Sequence, residues 1–172
     1  MLAACLLACA ASACGDLRDF RGTYRAEIVE GNFVRSCFRS GTRATLRFDP
    51  DQAVVGRDAG ASTPNTLTID DGTFQDTPLE PIRSLPHDPL SQLDFPGPQR
   101  LRSYMLLARP STGPLAGRDA LVVISLLASE GLEVRVIARS ADGAAGCPDE
   151  PEGAAPDPGA RREYFGLFRM NR

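Results

Sequence analysis

The residues best suited to acid–base chemistry lie in one proline-rich segment. His87 is the only histidine of the chain, and the carboxylates Asp88 and Asp94 follow it closely. An imidazole beside a carboxylate can accept or donate a proton, so one interpretation is a lid over a pocket. Ser91 is also near, but the three members of known nucleophilic triads come together from distant parts of a chain. We therefore expect a loop that plugs a barrel end or covers a sheet face, with His87 at the surface.

A short apolar run, residues 2–13, precedes the polar chain and ends in small residues. About twelve residues are fewer than the ~20 that span a bilayer as a helix, and they match the apolar core of a cleavable export signal. A buried first helix is the alternative, but the run is apolar on all sides and lacks a cap or a charge. Signals normally begin with Lys or Arg, whereas the first charged residue here is Asp16. Either the true start lies upstream of Met1, which is the favoured interpretation, or the run is a poor signal.

The end of this run resembles the lipobox of bacterial lipoproteins. In that family, a leucine and two small residues precede the cysteine that receives diacylglycerol and becomes the new N-terminus. Residues 11–14, Ala-Ser-Ala-Cys, match at the last three positions, and residues 6–9, Leu-Leu-Ala-Cys, are the alternative with a bulky Leu7. Cys14 is favoured over Cys9 and Cys5 because the longest apolar run precedes it and a polar chain follows it.

The resemblance implies a lipid-anchored protein of the cell envelope. Residues 1–13 would be the signal peptide, residues 14–21 the lipidated tether and residues 22–172 a single β-rich domain. An anchor of two or more acyl chains holds stably, whereas one chain binds only marginally. Gly15 stands where an Asp would retain some lipoproteins at the inner membrane, so the outer membrane is slightly preferred.

Two cysteines, Cys37 and Cys147, remain once the signal is removed and Cys14 is acylated. Cysteines left over in an exported protein are usually paired, which predicts a Cys37–Cys147 disulfide. A bridge across a loop on the order of a hundred residues would contribute about 4–5 kcal/mol in the chain-entropy model. Two thiols and one distant histidine do not form a ligand set for zinc, so neither a metal nor a cofactor is expected.

Composition excludes some partners. The net charge of −3 predicts neither a nucleic-acid footprint nor a polybasic membrane patch. All the basic side chains are arginines, and five on the polar sides of predicted strands could gather into an anion-binding face: Arg25, Arg35, Arg47, Arg102 and Arg135. The simpler expectation is that they pair with Glu27, Glu133 and other carboxylates on a solvated surface, each pair contributing under ~1 kcal/mol.

Alternation of apolar and polar residues predicts strands over most of the chain. The predicted strands are residues 22–30, 33–39, 44–48, 66–70, 101–109, 121–128, 132–139 and 162–170. Residues 121–128 form a continuous apolar run, as in a strand buried on both faces. Residues 129–131, Ser-Glu-Gly, predict a hairpin between the neighbouring strands. A chain of this kind is expected to fold as an all-β antiparallel barrel or sandwich of about eight strands.

Three stretches break the alternation. Residues 73–98 are rich in proline and are expected to fold over the sheet as a long loop, with helical turns at 78–85 and 88–93. Residues 56–65 are small and polar, which predicts a loop. Residues 141–160 are rich in Gly, Ala and Pro and acidic, which predicts an irregular excursion.

The Gly-Thr-Tyr strand at residues 22–24 and the aromatic closing strand give a layout that resembles small lipocalin-like barrels. The first functional hypothesis is a non-catalytic binding or interaction module, which needs an exposed apolar patch. The alternative is a carrier of an apolar ligand, which needs an enclosed cavity of ~300 Å³ or more. That hypothesis fails if the interior is filled by Tyr24, Phe48, Val123, Val134 and Phe168. An enzyme using His87 and a nearby carboxylate is the third hypothesis.

Overall fold

The computed structural model describes residues 17–28, 37–54, 64–85, 99–139 and 163–172. Eight strands are formed: β1 Gly22–Glu27, β2 Arg43–Phe48, β3 Thr66–Ile69, β4 Phe74–Leu85, β5 Arg100–Ala108, β6 Ala120–Leu127, β7 Leu132–Arg139 and β8 Glu163–Met170. Two single-turn 3₁₀ helices lie at Leu17–Phe20 and Pro50–Ala53. Within these ranges, no helix has the length and apolar character needed to cross a bilayer.

The strands form one antiparallel sheet in which each pairs with the next along the chain. The sheet curls until β1 meets β8. There the Arg25 amide donates to the Asn171 carbonyl at 2.9 Å, and the Asn171 amide donates to the Arg25 carbonyl at 3.2 Å. The prediction of an all-β antiparallel fold is confirmed, and the architecture is a nearly closed barrel rather than a sandwich.

The barrel has two ends with different contents. The proximal end carries the Leu17–Phe20 turn, the β6–β7 hairpin and the last residue, Arg172. The distal end carries the β3–β4 turn and the β5–β6 connection. Residues assigned from sequence to the tether thus include an ordered turn, because Phe20 is buried in the core and its carbonyl accepts the Tyr24 hydroxyl at 3.0 Å.

The β6–β7 hairpin forms as predicted at residues 129–131. The Leu127 amide donates to the Gly131 carbonyl at 3.0 Å, and the Glu130 amide donates to the Leu127 carbonyl at 3.0 Å. Glu130 adopts a left-handed backbone with φ of 64° to close the turn. β6 is buried on both faces, which confirms the interpretation of its continuous apolar run.

The helical turn predicted at residues 78–85 is wrong, because these residues belong to β4. Residues 74–78 pair with β3 and residues 79–85 pair with β5, so this strand carries the sheet around the barrel. The register shifts between Pro81 and Arg83. A proline donates no hydrogen bond and is tolerated in a sheet at such irregularities, so its presence did not require a loop. The other predicted turn, residues 88–93, lies outside the described residues.

The strand predicted at residues 33–39 is wrong for its last three residues, which form a bend, and its earlier part lies outside the described residues. Cys37 and Phe38 are both buried, and consecutive buried side chains do not fit a strand with one core face. The Cys37 amide donates to the Glu163 carbonyl at 2.9 Å, so the segment joins β8. β1 pairs with β2, which begins after this segment.

Candidate interaction surface

The sequence-predicted acid–base residues His87, Asp88 and Asp94 lie outside the described residues, as do Cys9, Cys14 and Cys147. Cys37 is 2% exposed. Among the residues described, no three His, Cys, Asp or Glu side chains are grouped as metal ligands would be.

The barrel interior is occupied by large side chains. Tyr24, Phe48, Val134 and Phe168 are at most 1% exposed and belong to one core cluster. Aromatic rings meet edge to face across it: the Phe48 and Tyr104 centroids are 5.6 Å apart and those of Phe38 and Phe168 are 6.2 Å apart. Val123, the fifth residue of the condition set for the interior, lies opposite Arg135 on the outer side of the sheet. β6 is apolar on both faces, so its pattern does not reveal which side faces inward.

Both barrel ends also receive apolar side chains from the connections. Ala53 from the second 3₁₀ turn and Leu115 from the β5–β6 connection are fully buried in the same core cluster. They enter from opposite ends, since the turn follows β2 proximally and the connection lies distally. A cavity for an apolar ligand would have to form in place of some of these packed side chains.

The outer side of β5–β8 carries a row of apolar residues where alternation predicts polar ones. Leu107 pairs with Leu121, Leu121 with Ile137, and Ile137 with Phe165, so four residues on four strands lie side by side. We term them the apolar row. Ile137 is 42% exposed and Phe165 38% exposed, whereas Leu107 and Leu121 are half-buried.

Apolar residues continue beside the row toward the proximal end. Met105 pairs with Val123 and Arg135 with Leu167 at the next outward-facing positions. On the distal side, charged side chains form a rim: Arg109 Nη2 lies 2.6 Å from Asp119 Oδ1, and Arg139 Nη2 lies 3.0 Å from Glu163 Oε1. An apolar centre with a polar, solvated rim is the usual anatomy of a protein interface.

A buried ionic cluster lies proximal to these apolar residues, on the same outer side. Glu133 is 1% exposed, and its Oε1 accepts from Arg100 Nη2 at 2.8 Å and from Arg135 Nη2. Ser125 Oγ accepts from Arg135 Nη1 at 3.3 Å and lies 2.8 Å from Ser103 Oγ. The expectation that Glu133 and Arg135 lie on a solvated surface is therefore wrong. β5, β6 and β7 bring these groups together, and their hydrogen bonds offset part of the cost of burying charge.

The arginines of the predicted anion-binding face are not gathered at one place. Arg25 and Arg47 lie on the outer side of β1 and β2, while Arg102 shares its face with the core residue Leu126 at the proximal end. Arg35 lies outside the described residues. Glu27 pairs with Arg43, at 3.1 Å and with both side chains mostly exposed.

Sequence reasoning missed both the apolar row and the buried ionic cluster. Each depends on the register in which neighbouring strands pair, and the sequence of a single strand does not reveal that register. The one signal present was an apolar residue on the polar side of an alternating strand, as at Phe165.

Comparison with known proteins adds no functional label, since no family model, no curated protein and no solved structure matches this chain.

Proposed function

We propose that this chain is a lipid-anchored envelope protein that acts as a non-catalytic binding module and docks a protein partner on the outer side of β5–β8. The observation that carries the proposal is the apolar row, with Ile137 and Phe165 both more than a third exposed. Burying such side chains gains roughly 25 cal/mol per Å² of apolar surface removed from water. The proposed docking surface is thus the outer face of the sheet, which alternation predicts to be polar.

The rim supports specificity. The ion pairs Arg109–Asp119 and Arg139–Glu163 alternate in sign along the distal border of the row. Exposed pairs contribute little to stability, so their rearrangement against a partner costs little. Charges at such a border act on encounter rate and orientation rather than on raw affinity.

The docking proposal is tested by site-specific photocrosslinking in the producing cell. A photoreactive amino acid at Ile137 should crosslink the same envelope protein as one at Leu121, its neighbour in the row. The matched control is Arg47, which is exposed on the outer side of β2, and it should give no such product. An Ile137→Glu variant should abolish the product formed from position 121 while the chain stays folded. Equal products from positions 47 and 137, or none from the row, would overturn the proposal.

The anchor and the disulfide are proposed from the sequence and tested by mass. The apolar run before Cys14 and the small residues at positions 11–13 support acylation there. Export and the count of remaining cysteines support the Cys37–Cys147 pair. The protein purified from membranes should begin at Cys14, carry acyl chains and gain the mass of two hydrogen atoms on reduction. An unmodified chain beginning at Met1 would overturn both proposals.

A carrier of an apolar ligand is the second candidate. Its support is the nearly closed barrel of eight strands, a size that holds one small ligand in some proteins and packed side chains in others. The edge-to-face packing of Phe48 on Tyr104 favours the packed alternative and hence the docking function. The lipocalin-like resemblance is one of layout alone, and the carrier remains the second candidate.

A further inference from the structure

We propose that the proximal end of the barrel faces the membrane surface and that the distal end points away from it. The inference rests on the proposed acylation of Cys14 and adds to it an orientation and a contact surface. In the part of the chain that the structure describes, the surface includes the Leu17–Phe20 turn, the β6–β7 hairpin and Arg172, all at the proximal end.

The length of the tether sets the orientation. Leu17 is three positions after Cys14 in the chain, and each residue spans at most ~3.3–3.6 Å, so the acylated residue lies within about 10 Å of Leu17. The turn that begins at Leu17 is fixed to the barrel, because Phe20 is 6% exposed and its carbonyl accepts the Tyr24 hydroxyl. A short tether joined to a fixed turn leaves the proximal end no freedom to leave the bilayer surface.

The other end is too far away to share the contact. β7 has 8 residues, or roughly 25 Å of strand at about 3.3 Å per residue, and at a strand tilt of ~40° this separates the two barrel ends by roughly 20 Å. Ser129 in the β6–β7 hairpin and Ser111 in the β5–β6 connection are both exposed and mark the proximal and distal ends. We expect Ser129 near the lipid headgroups and Ser111 in water.

Charge does not explain the contact. At the proximal end, Arg21 Nε lies 3.0 Å from Asp49 Oδ2 and Arg21 Nη2 lies 3.4 Å from Asp51 Oδ2, so both signs are present. Among the described residues of this end, the mixed charge forms no basic cluster of the kind that attracts anionic lipids. The acyl chains should therefore hold the protein, and its orientation should be the same on neutral and on anionic membranes.

The orientation has a consequence for docking. The apolar row lies next to the distal rim formed by Arg139 and Glu163. A barrel standing on its proximal end holds this row away from the bilayer, where a partner can reach it from the aqueous side.

The experiment uses the full acylated chain, with its mass confirmed, in phosphatidylcholine vesicles. A fluorophore is attached to Ser129→Cys or, as the matched control, to Ser111→Cys, and the unsubstituted chain is labelled in parallel to measure reaction of native thiols. Nitroxide-labelled lipid headgroups should quench the label at position 129 several-fold more than the label at position 111. The same ratio is expected after a fraction of anionic lipid is added.

Each outcome has a separate meaning. Equal or reversed quenching in a chain acylated at Cys14 overturns the orientation and leaves the anchor standing. A chain that carries no acyl group overturns the anchor and the orientation together. Acylation at Cys9 instead would lengthen the tether to roughly 28 Å, predict equal quenching at both positions and overturn the orientation.

Discussion

Glu133 is the residue at which burial and charge conflict most. Its carboxylate is 1% exposed and contacts guanidinium groups from β5 and β7, while Arg169 Nε from β8 lies 3.8 Å from its Oε2. Removing one partner of a buried ion pair is costly because the opposite charge stays buried without it. By contrast, Glu163 pairs with Arg139 where both side chains are more than half exposed.

We predict that Glu133→Ala destabilises the folded chain by about 3–5 kcal/mol. The matched variant Glu163→Ala should cost under ~1 kcal/mol, because an exposed pair is screened by water. Urea unfolding monitored by tyrosine fluorescence measures both free energies. Similar small losses in the two variants would mean that Glu133 contributes no more than a surface carboxylate.

The sequence could not reveal this cluster at the residue scale. Alternation places Glu133 and Arg135 on the polar side of β7, and polar sides normally face water. The cluster includes Arg100, which is distant in sequence and reaches Glu133 only through the pairing of β5, β6 and β7. The strand face on which Glu133 and Arg135 lie was predictable from the sequence. The number of charged and polar groups that meet at Glu133 was not.

At the scale of elements, the sequence predicted a structure correctly where one short segment contained all the residues that determine it. The β6–β7 hairpin has a glycine-containing turn between two apolar strands, and both parts lie within one short segment. β4 was missed because Pro78 and Pro81 argue locally against a strand. Its formation depends on non-local pairing, in which Pro78 lies opposite Thr66 and Pro81 opposite Leu106. Tertiary pairing outweighed the local preference.

The apolar row shows the same limit for the candidate site. Leu107, Leu121, Ile137 and Phe165 each lie on a different strand, and only the register aligns them. A shift of one residue in any strand would turn its row residue to the other face of the sheet. The sequence therefore predicted that an exposed apolar patch would decide the function, but not where that patch lies.

For the whole molecule, closure between β1 and β8 decides whether the sheet is a barrel. The two backbone hydrogen bonds between Arg25 and Asn171 join the middle of β1 to the residue that follows β8. Arg172 strengthens the seam, because its Nε lies 3.3 Å from the Tyr24 hydroxyl and its guanidinium carbon 5.6 Å from the Tyr24 ring centre. A barrel without this seam would present two free sheet edges.

We predict that Asn171→Pro opens the seam, since proline removes the amide that donates to the Arg25 carbonyl. The expected loss is about 1–2 kcal/mol of unfolding free energy, from one hydrogen bond and the strain around it. Asn171→Ala keeps the amide and is the matched control. Native-state hydrogen exchange should show that β1 amides exchange faster in Asn171→Pro than in Asn171→Ala. The β6 and β7 amides should change only by the amount that the loss of unfolding free energy accounts for. Uniform acceleration in all strands would mean that the seam belongs to a single cooperative unit. Unchanged exchange in β1 would mean that the core, rather than the seam, holds the barrel closed.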